Sequence, residues 1–135
     1  YGPSEITAKK LLEDYPSIEM LFDIHRDADQ RENSIVVING VPVAKILFVV
    51  AQGQQELQQP HWQENYAFAK LIDAKLNQYY PGMSKGIQVV EWRYNQHLHP
   101  RALLLEVGCQ DSTKEELQHS IEMLSDVLAE IIEEK

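Results

Sequence analysis

The chain predicts an α/β domain: an open, mostly parallel sheet with helices on both faces and one hairpin around Asn39-Gly40. Three patterns carry that expectation. Apolar stretches of strand length recur at 18–24, 34–38, 43–50, 87–92 and 102–107. Segments of helical periodicity lie at 4–15, 60–80 and 112–131, between and around them. Strands that alternate with helices are joined by crossovers, which favours parallel pairing.

Each element has a local cause. Ser4 can cap a helix in which Ala8, Leu11, Leu12 and Tyr15 share a face, and Pro16 stops it. From Ile18 the period changes to two, with Met20, Phe22 and Ile24 on one face and Leu21, Asp23 and His25 on the other. A polar loop follows over 26–33. The runs 34–38 and 43–50 flank Asn39-Gly40, the favoured pair for a type I′ hairpin turn, although Pro42 points to a longer, looser connection. The second run is nearly all apolar, which places it centrally in the sheet. Residues 51–59 form a Gln-rich loop around Gly53.

Pro60 opens a long helix whose stripe is Trp62, Tyr66, Ala69, Ile72, Leu76 and Tyr80, and Pro81-Gly82 ends it. Strands at 87–92 and 102–107 enclose a polar segment. Ser112 with Glu115 has the spacing of a capping box for a last helix carrying Leu117, Ile121, Leu124, Leu128 and Ile131. There are no internal repeats.

The bulk numbers set limits. With 135 residues, the length suits a single domain over 1–135 with a real core. A net charge of −9 argues against nucleic acid as a partner, because phosphates call for a basic face. The lone Cys109 excludes an intrachain disulfide and a cysteine-based zinc framework, and it reads as a plain thiol. No apolar run has the length of a membrane span, and no signal peptide opens the chain. Because the first residues already read as helix, a fragment with targeting and part of its fold upstream is expected.

Chemistry-bearing residues gather at strand ends. His25 ends an apolar strand, followed by Arg26 and Asp27, and the carboxyl ends of strands are where open α/β sheets bind ligands. The plainer reading is a solvated turn. Glu106 sits inside Leu103-Leu104-Leu105-Glu106-Val107-Gly108, where partial burial would raise its pKa into the range of a general base. Its structural alternative is an ion pair with Arg101 or Arg26. His97 and His99 would face one side of an extended backbone, as in a metal site, or lie exposed in a loop. His61 reads as a helix-start residue and His119 as exposed on the last helix. Asn65 and Trp62 could line a cleft, while Tyr94, Asn95 and Arg101 could bind substrate or satisfy a loop. No phosphate-cradling glycine loop or nucleophile elbow is present.

Taken in order, Tyr15-Pro16-Ser17-Ile18, Asp23-Ile24-His25-Arg26-Asp27-Ala28, Trp62-Gln63-Glu64-Asn65, Tyr94-Asn95-Gln96-His97-Leu98 and the run from Pro100 through Leu-Glu-Val-Gly108 resemble the stage II sporulation protein P family. The resemblance runs from the first helix to the last. It implies a zinc-dependent N-acetylmuramoyl-L-alanine amidase, with a possible endopeptidase activity on cross-links, acting on septal peptidoglycan during sporulation. His25 matches a zinc ligand and Glu106 the catalytic carboxylate. Arg26, Asn65, Asn95 and Arg101 are the candidate substrate-binding residues.

The resemblance also implies an extracytoplasmic, membrane-associated protein, anchored through a segment absent from this chain, with stage II sporulation protein D as a partner. A further family histidine, in a His-Thr-His type motif, falls upstream of residue 1. The chain therefore reads as the C-terminal portion of the catalytic domain, with an incomplete metal site, inactive alone, and with an open sheet edge that favours self-association. Two other readings stand beside this one. One is a non-enzymatic peptidoglycan-binding module of the same fold. The other is a zinc carboxypeptidase-like hydrolase using His25, His97 and His99.

Overall fold

Each apolar run finds a partner surface in the computed structural model, which describes residues 2–134. In chain order the elements are α1 (Gly2–Asp14), β1 (Leu21–Asp27), β2 (Ile35–Ile38), β3 (Val41–Ala44), β4 (Ile46–Ala51), α2 (Trp62–Tyr79), β5 (Ser84–Val90), β6 (Ala102–Cys109) and α3 (Lys114–Glu133). The main sheet has the order β1-β6-β4-β5. The β1–β6 and β4–β5 pairs are parallel and the β4–β6 pair is antiparallel. The expected α/β class, mostly parallel sheet and hairpin at Asn39-Gly40 are present, the hairpin standing as a two-stranded sheet of its own.

The strand pleat divides the sheet into two faces. Ile46, Phe48 and Val50 of β4 join Leu103, Leu105 and Val107 of β6 in one buried core with Phe68, Ile72 and Leu76 of α2 and Leu124, Val127 and Ile131 of α3. Phe22 of β1 adds its ring against Phe68, with centroids 6.0 Å apart. The alternate residues, Leu21, Asp23 and His25 of β1 with Leu104 and Glu106 of β6, look the other way. Among the described residues, α1 and the segment 94–96 lie over that second face, and Ala8 is the buried residue of α1.

Four local expectations are corrected. Helix α1 already includes Gly2, so Ser4 lies inside it; the Ser4 hydroxyl accepts a hydrogen bond from Asn95 Nδ2 instead of capping. The hairpin turn is tight, with Ile38 opposite Val41 and left-handed Asn39 and Gly40. Pro42 fits because it faces Val37 one step from the turn, where a two-residue hairpin makes no cross-strand hydrogen bond. The run 43–50 is two strands: Lys45 donates its N–H to Ser34 in the hairpin and accepts from Gly108 in the main sheet. The capping box of α3 is Thr113 with Glu116, one residue later than the spacing suggested. That shift turns Glu116, Ser120, Leu124, Val127 and Ile131 inward and leaves Ile121 exposed. Buried Glu116 also accepts a hydrogen bond from Arg31.

One side chain extends the sheet. Beyond the start of β6, the Gln96 amide accepts from Ala51 N–H and donates to the Val49 carbonyl, both at 2.9 Å. It stands in for a missing peptide group and satisfies two backbone groups of β4 that burial would otherwise leave unpaired. This fixes the segment 93–101 against the sheet.

Candidate active site

The register of β1 on β6 places His25 directly opposite Glu106. Parallel neighbours in register put their side chains on the same face, so the two motifs that end these strands meet on the α1 side of the sheet. His25 Nε2 lies 2.8 Å from Asp23 Oδ1, two residues back on the same face, which fixes the ring orientation.

Two bulges shape the rest. Between His25 and Asp27 the ladder advances two residues on β1 but three on β6, where Gly108 adopts φ +62. The extra residue brings Asp27 to within a hydrogen bond of Glu106. A second extra residue lies in β5 between Ser84 and Ile87, with Gly86 at φ +92. It aims Lys85 at Asp27 Oδ2 (3.2 Å) and Asp29 Oδ2 (2.9 Å).

Burial, followed by the charge and hydrogen bond of Asp27, pushes the Glu106 carboxyl up from its ordinary value; His25 and Lys85 oppose part of that rise. For Lys85, burial pulls the ammonium down, but hydrogen bonds to Asp29 and Asp27 outweigh it and the net direction is up. Asp29 is held at about 2 by hydrogen bonds from Lys85, Asn33 and the Gln30 N–H.

A lowered carboxyl pKa supports the fold above its unfolded value and loses that support as pH falls through the folded value. For Asp29 that window runs from 3.8 down to about 2. Lys85→Met is therefore expected to return the Asp29 titration towards 3.8, read by carboxyl NMR. An unmoved midpoint would show that the Lys85 contact does not hold in solution.

The chain matches the family model described as Stage II sporulation protein P (SpoIIP) over residues 1–129. A curated relative, Stage II sporulation protein P of Bacillus subtilis (strain 168), is 32% identical over 136 residues, covering 97% of this chain and 33% of the relative. The chain belongs to the Stage II sporulation protein P family. It spans about a third of that relative's length. No solved structure matches it.

Within this family member the other candidates lie elsewhere. Asn65 is fully buried, and its Nδ2 donates to the carbonyls of His99 and Pro100 at 2.9 Å, so it holds a loop and cannot meet substrate. Arg101 sits over the Phe68 ring, 5.0 Å from its centroid, on the helix-layer face and at the opposite end of β6 from Glu106. Arg26 reaches the Gln110 carbonyl at 3.2 Å. The ion-pair alternative for Glu106 thus fails with both arginines. Asn95 is buried beside α1, along the same face as Asp23 but towards the other end of the strands.

His97 and His99 do not form a pair. His97 lies in a 3-10 turn, where residues two apart diverge, and its Nε2 is 2.9 Å from Glu5. Burial, then the charge of Arg93, lowers its pKa, with Glu5 opposing. His99 accepts from the Arg101 N–H and reaches the Ile18 carbonyl. The carboxypeptidase-like ligand set of His25, His97 and His99 is therefore excluded by geometry. His61 precedes α2 as expected, whereas His119 is partly buried against the Pro42 carbonyl.

Zinc needs about three protein donors at a catalytic centre. Among the described residues no group of three His, Cys, Asp or Glu side chains is placed to hold a metal ion. The residues present do not fit a complete zinc centre. Sequence reading also missed Lys85. Its one signal was Gly86 just ahead of the expected 87–92 strand; β5 in fact begins at Ser84, so the glycine falls inside it and marks a bulge.

Proposed function

We propose that this chain supplies the proton-transfer part of a peptidoglycan hydrolase, an N-acetylmuramoyl-L-alanine amidase acting on septal cell wall during sporulation. The observation that supports it most is the register pair of His25 and Glu106, with the Glu106 pKa raised. Glu106 takes a proton from the attacking water at its carboxylate and delivers it to the departing amide nitrogen. Asp27 and partial burial keep Glu106 basic enough for the first transfer. Asp23 holds the His25 ring in one orientation at the same centre. Zinc enters this reading only with donors from outside these residues. Action outside the cytoplasmic membrane, a segment beyond this chain that associates with the membrane, and stage II sporulation protein D as partner belong to the same proposal.

The test uses the full-length protein with zinc on purified peptidoglycan. New L-alanine amino termini should appear, released from muramic acid. Cleavage confined to the cross-links, or none at all, sinks the amidase reading. A second reading is a non-enzymatic binding module of the same fold. In that case elemental analysis of the full-length protein finds no zinc, and His25→Ala leaves peptidoglycan binding unchanged.

A further inference from the structure

The most exposed large aromatic among the described residues after Tyr15 is Trp92, at 56% accessibility, and it stands on an unusually fixed piece of backbone. The Trp92 carbonyl accepts from Gly53 N–H at 3.1 Å, and the Arg93 carbonyl accepts from Gln59 Nε2 at 2.9 Å and Gln96 N–H at 3.1 Å. The Arg93 side chain bonds Glu5 at 3.2 Å, and Asn95 Nδ2 bonds Ser4 Oγ at 3.1 Å. Tyr94, a bulky residue, is held at φ +50 within this segment. Such a conformation persists only where surrounding contacts over-determine it. A rigid loop that leaves an indole in water has the form of a binding platform.

Two cavities adjoin the platform, and Tyr94 and Asn95 line both. One, of about 450 Å³, includes Trp92 and Leu57. The other, of about 290 Å³, runs between α1 and the sheet past Leu11 and Leu104 to Asp23, the carboxylate that bonds His25. Sharing Tyr94 and Asn95, the two make a trough from Trp92 to Asp23, the residue that bonds His25.

Its chemistry selects the occupant. The charged residues lining it are Asp23 and the mutually bonded Glu5 and Arg93, in a chain of net charge −9. Carboxylates of a stem peptide would meet like charge there. Apolar walls and an exposed indole suit the C–H face of a sugar ring. Asn95 is 8% exposed, and its Oδ1 is a buried acceptor with no partner among the described residues. An acetamido N–H is the matching donor.

We propose that this trough is a saccharide subsite, which seats the uncharged, N-acetylated glycan strand with a sugar on Trp92 and an acetamido group towards Asn95. The assignment rests on the peptidoglycan reading above, for it names which arm of that substrate lies here.

The test is an NMR titration of the chain with the β(1→4)-linked N-acetylglucosamine tetramer, in parallel with the free stem tetrapeptide. The saccharide should shift the Trp92 indole N–H and the Asn95 side-chain amide. Trp92→Ala should weaken binding about tenfold, the size of one lost aromatic contact, and Trp92→Phe should keep most of it. Shifts that fall elsewhere, a platform that answers to the peptide and not the sugar, or undiminished binding by Trp92→Ala each overturn the subsite. Hydrolysis is scored separately by new alanine amino termini. A protein that binds the sugar here and cleaves nothing therefore rejects the hydrolase reading alone. One that cleaves while the sugar shifts nothing here rejects the subsite alone.

Discussion

Glu106→Gln is expected to remove amide hydrolysis by the full-length protein while leaving the fold at least as stable at neutral pH. Loss of a positioned general base costs about a hundred- to ten-thousand-fold in rate. The stability half follows from linkage. Glu106 has a raised pKa, so it supports the fold below its unfolded value of 4.5 and loses that contribution as pH rises through the folded value. Above pH 4.5 the unfolded chain ionises this group freely, whereas in the native state burial and Asp27 both disfavour its charge. Glutamine keeps the volume, sheds the charge and can donate to the Asp27 carboxylate. Urea unfolding at pH 7 should therefore show the variant level with or above its parent, with the difference narrowing as pH falls to 4.5. A variant that loses activity together with much of its stability would make Glu106 structural.

Gly108→Ala is expected to destabilise the chain by about 2–5 kcal/mol, from left-handed strain plus overpacking. Gly108 sits at φ +62, and a Cβ built there would lie 2.5 Å from Ser112 Oγ and 3.1 Å from the Ala44 Cβ. Ser112 cannot readily retreat, because its Oγ also accepts from the Cys109 N–H at 2.8 Å. The same glycine forms the bulge that brings Asp27 onto Glu106, so the folded fraction should lose catalytic rate as well. Urea unfolding within about 0.5 kcal/mol of the parent, the range of an ordinary surface change, would show that the bulge relaxes freely.

The parts legible in the sequence were those set by periodicity or by a contiguous motif. Alternation of Phe22 and Ile24 with Asp23 and His25 marked β1 and its two faces, and the Leu-Glu-Val-Gly run marked β6. A mostly parallel sheet was expected, but the pairing of β1 with β6 that joins the two motifs was not written in either run. What escaped depends on contacts distant in sequence. Lys45 divides an unbroken apolar run because its N–H and C=O serve different sheets, and side-chain pattern carries no trace of backbone partners. Asn65 looked like a cleft residue by polarity, yet it is buried as a clamp on two carbonyls. Arg101 lay near Glu106 in sequence but at the far end of the same strand. Lys85 reaches the site across β4 and β6 through a bulge, which binary patterning does not register.

The position of β1 at the sheet edge has a consequence for assembly in time. Its partner in the main sheet is β6, so more than half of the chain separates the two halves of the His25–Glu106 pair. Pairings so far apart in sequence form late, because a long loop must close before any contact rewards it. During synthesis β1 emerges before β6, and this pairing waits until β6 follows. The centre at His25 and Glu106 is thus completed at the end of folding, and a chain stopped before β6 has the histidine but no site.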